Sequence, residues 1–452
     1  MQEAALKRDW TKGSIIGNLL LLSWPILILN SLYGVSLTLE MIWVGRLGAV
    51  SIAGLGIASV VDTLATMMAS GVTIGTRAMV ARFIGAGDVD SANHVVAQSF
   101  VLSVAFGVIM AAIGAFLAEP ILRLFGVDTD VVTEGVLYLR IMLVGWVSMA
   151  FWHIVFASMQ ASGDSVTPLK LATFIRSVHA VLCPFLVLGW WVFPRLGVSG
   201  AATANIIYQS LGGAIGLWLL SSGRTRLRLT RGDFRITLNT IWRILKIGIP
   251  ASVMNTQRAF SNLFLAWLMV PFGTLAVAAH SLVSRVERWV YMTAGGLGIG
   301  AGVLVGQNLG AGLPERAERG GWLAAVFAEG IVVFCSVAVL LWAENIIGIF
   351  STDPALVELA SVFLRIAAAN FLAMAIVRVM QHCISGAGDT LPVMLVSLVM
   401  LWAVLLPLAF LLPQVTNLGM YGVRWAIVIS MFVGAVAYTI YFRLGGWKRK
   451  QV

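Results

Sequence analysis

The chain has 452 residues, of which 59% are apolar and only 11% charged, and it carries a net charge of +10. A soluble domain has roughly 25% charged residues, and no soluble fold of this size hides so many Leu, Val, Ile, Ala and Phe side chains without large exposed apolar patches. The mean hydropathy of +0.93 thus excludes a soluble globular enzyme, a disordered chain and a fibrous repeat. What remains is a polytopic α-helical membrane protein, with room for about 12 to 15 spans of about 20 apolar residues and their loops.

Residues 1–14 are polar and mixed in charge. The apolar stretch that follows is too long for a signal-peptide core and is read as the first membrane helix. Gly, Pro and charge clusters then divide the chain into twelve predicted spans: 16–44, 51–82, 92–117, 131–160, 167–192, 199–220, 240–270, 275–307, 317–342, 356–385, 391–412 and 421–442. Several exceed 25 residues and should tilt or project from the bilayer. The widest break, 221–246, carries Arg224, Arg226, Arg228, Arg231, Arg235, Arg243 and Lys246. With six spans on each side, it shares a face with Lys7, Arg8 and Lys12 at one end and Arg443, Lys448, Arg449 and Lys450 at the other. The opposite face has little beyond Arg46, Arg123, Arg195 and Arg424. Basic residues collect in cytoplasmic loops, so both termini and this loop are expected in the cytoplasm of a cell-membrane protein. The positive charge is that of membrane topology, and nucleic acid is not an expected partner. Cys183, Cys335 and Cys383 lie in apolar runs without CxxC spacing or paired histidines, which leaves no basis for a disulfide or a metal site.

An internal repeat dominates the sequence. At an offset of 225 residues, Pro25 falls on Pro250, Asn30 on Asn255, Asp62 on Glu287, Gly75 on Gly300 and Arg140 on Arg365. RFIGAGD at 82–88 falls on QNLGAGL at 307–313, and ASGDSVTP at 161–168 falls on GAGDTLP at 386–392 with a one-residue slip. The expected domains are a six-helix lobe at 1–220, a basic cytoplasmic linker at 221–246 and a second six-helix lobe at 247–452. Six is even, so the lobes insert in the same direction, related by a pseudo-two-fold along the membrane normal, as in parallel-repeat transporters.

The SWPILI opening, the VARFIGAGD end of the second span, the GAGD and SGD loops and the 6+6 layout are similar to the multidrug and toxic compound extrusion (MATE) family, in the superfamily of multidrug, oligosaccharidyl-lipid and polysaccharide flippases. The resemblance covers nearly all of 15–442. It implies a V-shaped, all-α membrane protein of twelve helices around a central cavity, exporting amphipathic, often cationic organic compounds against entry of protons or sodium ions. It implies a monomer whose partners are the organic substrate, the coupling cation and the bilayer, with no cofactor. The sequence departs from the family at the ion sites. Where the proton-type subgroup resembles N-x-x-x-D-P, this chain has His179-Ala-Val-Leu-Cys183-Pro184. Where the sodium-type subgroup has carboxylates in the seventh and tenth spans, it has Gln257, Arg258 and Arg378.

A charge deep in hydrocarbon costs about 2.5–3.5 kcal/mol, so buried ionisable residues mark cavities or partners. Glu40 sits where the family commonly has an acid; it either lines the first lobe's cavity or reaches solvent a turn from the outer end. Asp62 and Glu287 lie roughly 17 Å into their spans, near the midplane, where they suit a cation, or Glu287 pairs with Arg258, Arg285 or Arg288. His153 and Arg378 are repeat equivalents, and His153 and His179 could carry a proton or bridge helices by hydrogen bonds. Arg258 and Arg378 favour anionic or zwitterionic substrates, or pair with Glu287 or Glu329. Asn30, Asn255 and Gln257 follow the span prolines and can bind an ion or drug beside freed carbonyls. Gly298, Gly302, Gly306 and Gly310 form a stripe for close helix packing; no strand precedes it, which argues against dinucleotide binding.

Among functions, an efflux antiporter leads. A lipid-linked saccharide or lipid flippase of the same superfamily is the alternative, with Arg258 and Arg378 supplying a basic groove. A membrane enzyme would need clustered acids of the DDxxD type or an HxxxxD motif, and neither is present. The lack of a GxxxxGK[ST] motif leaves an ion gradient as the energy source.

Overall fold

The structure is a computed structural model that describes residues 8–452; Lys7, one of the basic residues assigned to the cytoplasmic face, lies outside the described residues. Helices and short helical turns are the only regular elements among the described residues. In chain order they are α1 (Ile15–Gly45), α2 (Ala49–Gly85), α3 (Val89–Arg123), α4 (Thr129–Val144), α5 (Trp146–Ala161), α6 (Val166–Leu188), α7 (Val198–Ser221), α8 (Leu238–Met269), α9 (Thr274–Gly310), α10 (Pro314–Gly348), α11 (Pro354–Gly386), α12 (Thr390–Leu398), α13 (Leu406–Val415) and α14 (Met420–Leu444). A π-helical stretch, Val399–Leu405, joins α12 and α13 into one long rod. Among the described residues, nine helices are long and apolar enough to cross a bilayer, counting α12 to α13 as one, and the bent pair α4 and α5 makes a tenth if it is one broken span. With α7 and α8, whose polar content is higher, these coincide with the twelve predicted spans. At about 1.5 Å per residue, the 37 residues of α2 and of α9 extend well past a hydrocarbon core of about 30 Å.

The fourth span is not the single helix expected over 131–160. It bends by 52° between α4 and α5. Gly145 sits at the break, and the Ile206 side chain occupies the space its Cβ would need, 2.4 Å away. Its repeat partner is Asn370, inside the unbroken α11.

The chain divides into two compact units. Unit 1 is Ile28–Ile249 with the described residues before Trp10; unit 2 is Trp10–Leu27 with Pro250–Val452. The boundaries fall at the repeat-equivalent prolines, Pro25 in α1 and Pro250 in α8. Each unit therefore takes its opening half-helix from the other half of the chain. Unit 1 has its own core around Val44, Leu139, Leu143 and Ala201. Unit 2 has another around Leu19, Leu304, Phe363, Phe371 and Phe442. Large apolar side chains on the outer faces, such as Phe116 and Phe334, are exposed, as lipid contact requires.

The repeated GAG loops have one physical reason. Gly87 and Gly312 both take a left-handed backbone, at φ +79° and +73°, which glycine adopts without strain. Asp88 then caps α3, accepting the Ser91 N–H at 2.9 Å, while Pro314 starts α10. Half of the predicted glycine stripe is seen in a helix crossing: a Cβ on Gly298 or Gly302 would meet His382 at 2.6 or 2.5 Å, which brings α9 directly against α11.

The basic segment is not a free tether. Within unit 1, Asn93 accepts the Arg228 N–H at 3.0 Å. Gln98 donates to the carbonyls of Asp233 and Arg235 and accepts the Thr237 N–H. Two polar residues on the first three turns of α3 thus hold the segment in place.

Candidate functional site

In unit 1, Glu40 near the end of α1 is buried rather than reaching solvent. Asn205 of α7 donates to its Oε1 at 3.0 Å, and the Tyr138 hydroxyl of α4 at 3.3 Å. Asp62 on α2 lies within electrostatic reach of Glu40. Its Oδ1 is buried with no hydrogen-bond partner. No cation pairs with either carboxylate; the ion pairs among the described residues lie elsewhere. A buried acceptor without a donor costs about 1–3 kcal/mol, so the place of Asp62 suits a proton, a donor group or a cation.

Around these acids stand aromatic and basic side chains. Arg176 of α6 lies 5.1 Å from the Tyr33 ring centroid. His179, one turn further on, packs on Tyr208 at 4.7 Å, and its Nε2 has no hydrogen-bond partner. His153 on α5 stays partly accessible, within electrostatic reach of Arg176 and Arg77. Arg77 donates to Gln160 at 3.5 Å. Two arginines, Arg77 and Arg176, thus share this part of unit 1 with Glu40 and Asp62. Asn30 lies on the unit 1 stretch of α1, three residues before Tyr33.

Unit 2 uses the same scaffold for a different charge pattern. Glu287, the repeat partner of Asp62, forms an ion pair with Arg424 at 2.6 Å, the two side chains 10% and 2% exposed. This corrects two expectations. Arg424 is not an outer-face loop residue but a buried one at the start of the second turn of α14. The partner of Glu287 is neither Arg258, Arg285 nor Arg288. His280 Nδ1 lies 3.4 Å from the same guanidinium. Arg258 and Arg378, expected to pair with Glu287 or Glu329, have neutral partners instead. Arg258 donates to Gln381 at 3.2 Å, and Arg378 lies 5.1 Å from the Tyr291 ring centroid. Asn370 donates to the Tyr291 hydroxyl at 3.3 Å, and Gln381 to that of Tyr438 at 3.0 Å. Gln257 donates to Ser397 at 2.7 Å. Asn255 lies three residues before Arg258, as Asn30 does before Tyr33.

The ten residues singled out in the sequence thus split between the units: Asn30, Glu40, Asp62, His153 and His179 in unit 1, and Asn255, Gln257, Arg258, Glu287 and Arg378 in unit 2. Tyr138, Asn205 and Arg424, the direct partners of the acids, were missed. Each sits on a helix remote in sequence, and nothing local distinguishes it from a packing residue.

Comparison with known proteins bears on this arrangement. The MatE family profile matches residues 25–185 and 250–411, two segments that begin at the boundary prolines. A probable multidrug resistance protein NorM of Thermotoga maritima is 24% identical over 94% of this chain and 91% of its own. A crystal structure of MATE in complex with MaL6 matches with a TM-score of 0.90, 22% identity and coverage of 96% and 97%. A MOP superfamily transporter from Pyrococcus furiosus, described as having reversed polarity in its binding pocket, matches with a TM-score of 0.91, 21% identity and coverage of 98% of both chains.

Proposed function

The chain belongs to the MatE family, whose members are multi-pass membrane transporters and not enzymes, and on that premise we propose a secondary active exporter of amphipathic organic cations driven by entry of a proton or a sodium ion. The observation that carries this reading is the pair Glu40 and Asp62 in unit 1, neither neutralised by an ion pair, with one Asp62 oxygen lacking a hydrogen bond. Glu40 is oriented by Asn205 and Tyr138. A coupling cation entering from outside occupies the acids. A cationic substrate arriving from the cytoplasm competes for the same negative charge, and the aromatic faces of Tyr33 and Tyr208 offer it cation–π contact. Mutual exclusion at one charge site makes the exchange obligatory: the ligand's differential affinity for inward and outward states shifts the population between them. The termini and the basic segment face the cytoplasm in this reading, which follows from the positive-inside rule, and the protein works as a monomer.

A second reading, a flippase for lipid-linked saccharides or lipids, is favoured by Arg258 and Arg378, which have no carboxylate partner. Ethidium efflux from proteoliposomes under separately imposed proton and sodium gradients tests the choice. Efflux driven by one gradient, and lost in Asp62→Asn, supports the exporter. No movement of cationic dye under either gradient overturns it in favour of the flippase.

A further inference from the structure

Unit 2 encloses more positive charge than it neutralises. Tyr291 lies within electrostatic reach of one carboxylate, Glu287, and two guanidiniums, Arg258 and Arg378. Arg424 closes on Glu287, which leaves Arg258 and Arg378 with their charges whole. They lie within electrostatic reach of each other, and both act on Tyr291 and Tyr438. Neither is fully covered: each keeps accessible surface on helices whose neighbouring side chains, Met254, Val377, Val379 and Met380, are buried. Their contacts are an amide oxygen and an aromatic face. Both relieve a guanidinium of water without cancelling its charge. Two like charges in a poorly solvated site repel, and the arrangement is stabilised when an anion joins them.

The repeat sets these groups beside their counterparts in the first half. At the 225-residue offset, Arg258 stands in place of Tyr33, Tyr291 in place of Thr66, Arg378 in place of His153 and Asn370 in place of Gly145. Four positions of the cluster thus differ between the halves, two of them arginine only in the second, while the GAG loop and the prolines at 25 and 250 are shared. A buried charge in a lipid-embedded bundle is costly and so points to a use. Asn370 is buried, with its Oδ1 unpartnered in the orientation observed. Turning the amide over lets the Tyr291 hydroxyl donate to Oδ1 and frees the amide N–H groups as further donors.

We propose that this cluster, Arg258 and Arg378 with Tyr291, Asn370 and Gln381, binds the phosphate or carboxylate group of an amphipathic organic anion or zwitterion. Guanidinium forks match both groups in a two-pronged geometry, and the Tyr291 and Tyr438 rings give an attached aromatic body a surface. The inference goes beyond the cationic cargo proposed above and rests on the transporter reading only in calling the bound compound cargo. Binding itself needs no gradient.

The test uses the purified full chain in detergent and a matched pair of fluorescent probes: flavin mononucleotide, which carries a phosphate, and riboflavin, its neutral parent. Wild type is expected to bind the mononucleotide about tenfold or more tightly than riboflavin. Arg258→Gln and Arg378→Gln should each bring that ratio close to one. Arg378→Lys, which keeps the charge, should keep part of the preference and so separates loss of the site from loss of the fold. Arg365→Gln, which removes an exposed arginine paired with Glu344, should leave the ratio unchanged. Displacement by inorganic phosphate assigns the site to free anions, and displacement by short-chain phosphatidate alone assigns it to a lipid headgroup; both support the proposal. Equal affinity for the two flavins, or an effect of Arg365→Gln as large as that of Arg258→Gln, overturns it. A retained flavin preference without ethidium efflux would refute the exporter and leave this site standing.

Discussion

Removing one member of the Glu287–Arg424 pair should cost far more than removing both. The N···O distance is 2.6 Å, and the side chains are 10% and 2% exposed, so each charge depends on the other for what water would otherwise supply. Breaking a buried pair from one side typically costs about 3–5 kcal/mol, whereas replacing both partners with apolar groups of similar volume is near neutral. Glu287→Gln leaves Arg424 with His280 and the Phe363 ring, 5.7 Å away. A guanidinium cannot shed its charge, so about 3–5 kcal/mol is expected. Arg424→Gln should cost less, because a lone buried carboxylate can neutralise itself by taking a proton. The double variant Glu287→Met with Arg424→Met should lie within about 1.5 kcal/mol of wild type. Reversible unfolding by SDS titration in mixed micelles, run as a double-mutant cycle, measures the coupling directly. Additive single losses would show that the pair is not the unit of stability and would refute the reasoning.

Other predictions follow from local geometry. Gly302→Ala places a Cβ 2.5 Å from the His382 carbonyl oxygen; overpacking of a helix crossing should cost about 1–3 kcal/mol in the same titration. Asp88→Ala removes the cap on α3 and should cost about 1 kcal/mol. The bonds from Ser91 hold the Asp88 carboxyl below its ordinary pKa. Its contribution is therefore complete above the unfolded carboxylate range and is lost as pH falls through the lower folded value, so the gap between wild type and Asp88→Ala in melting experiments should close on acidification. Gln98→Ala deletes three bonds to the basic segment, and trypsin should then cut at Arg231 and Arg235 markedly faster, read by the appearance of half-length fragments.

The repeat made the fold legible, because helix lengths, loop glycines and prolines recur at one offset and each has a local cause. It also held what charge counting along each span concealed. Asp62 and Glu287 occupy equivalent positions of the repeat, yet one keeps an oxygen without a partner while the other is closed by Arg424. That difference is set by α14, whose arginine is fixed by tertiary packing and not by any motif. The bend at Gly145 escaped because a glycine in an apolar run has several uses, and only Ile206 pressing into its vacant side shows which one applies. Arg258 and Arg378 were visible as basic residues; that they lack carboxylate partners was not, since Glu287 and Glu329 were within plausible reach along the chain.

The proposed exchange at Glu40 and Asp62 is tested most directly by equilibrium binding of ethidium to the purified protein, with pH and sodium concentration varied independently. If substrate and coupling cation compete for these acids, ethidium affinity should fall as one of the two cations rises, by close to tenfold per tenfold increase once that cation saturates the site, and the dependence should vanish in Asp62→Asn. Ethidium affinity that ignores both pH and sodium in wild type, or a dependence that persists unchanged when Asp62 and Glu40 are both neutralised, would contradict an exchange site in unit 1.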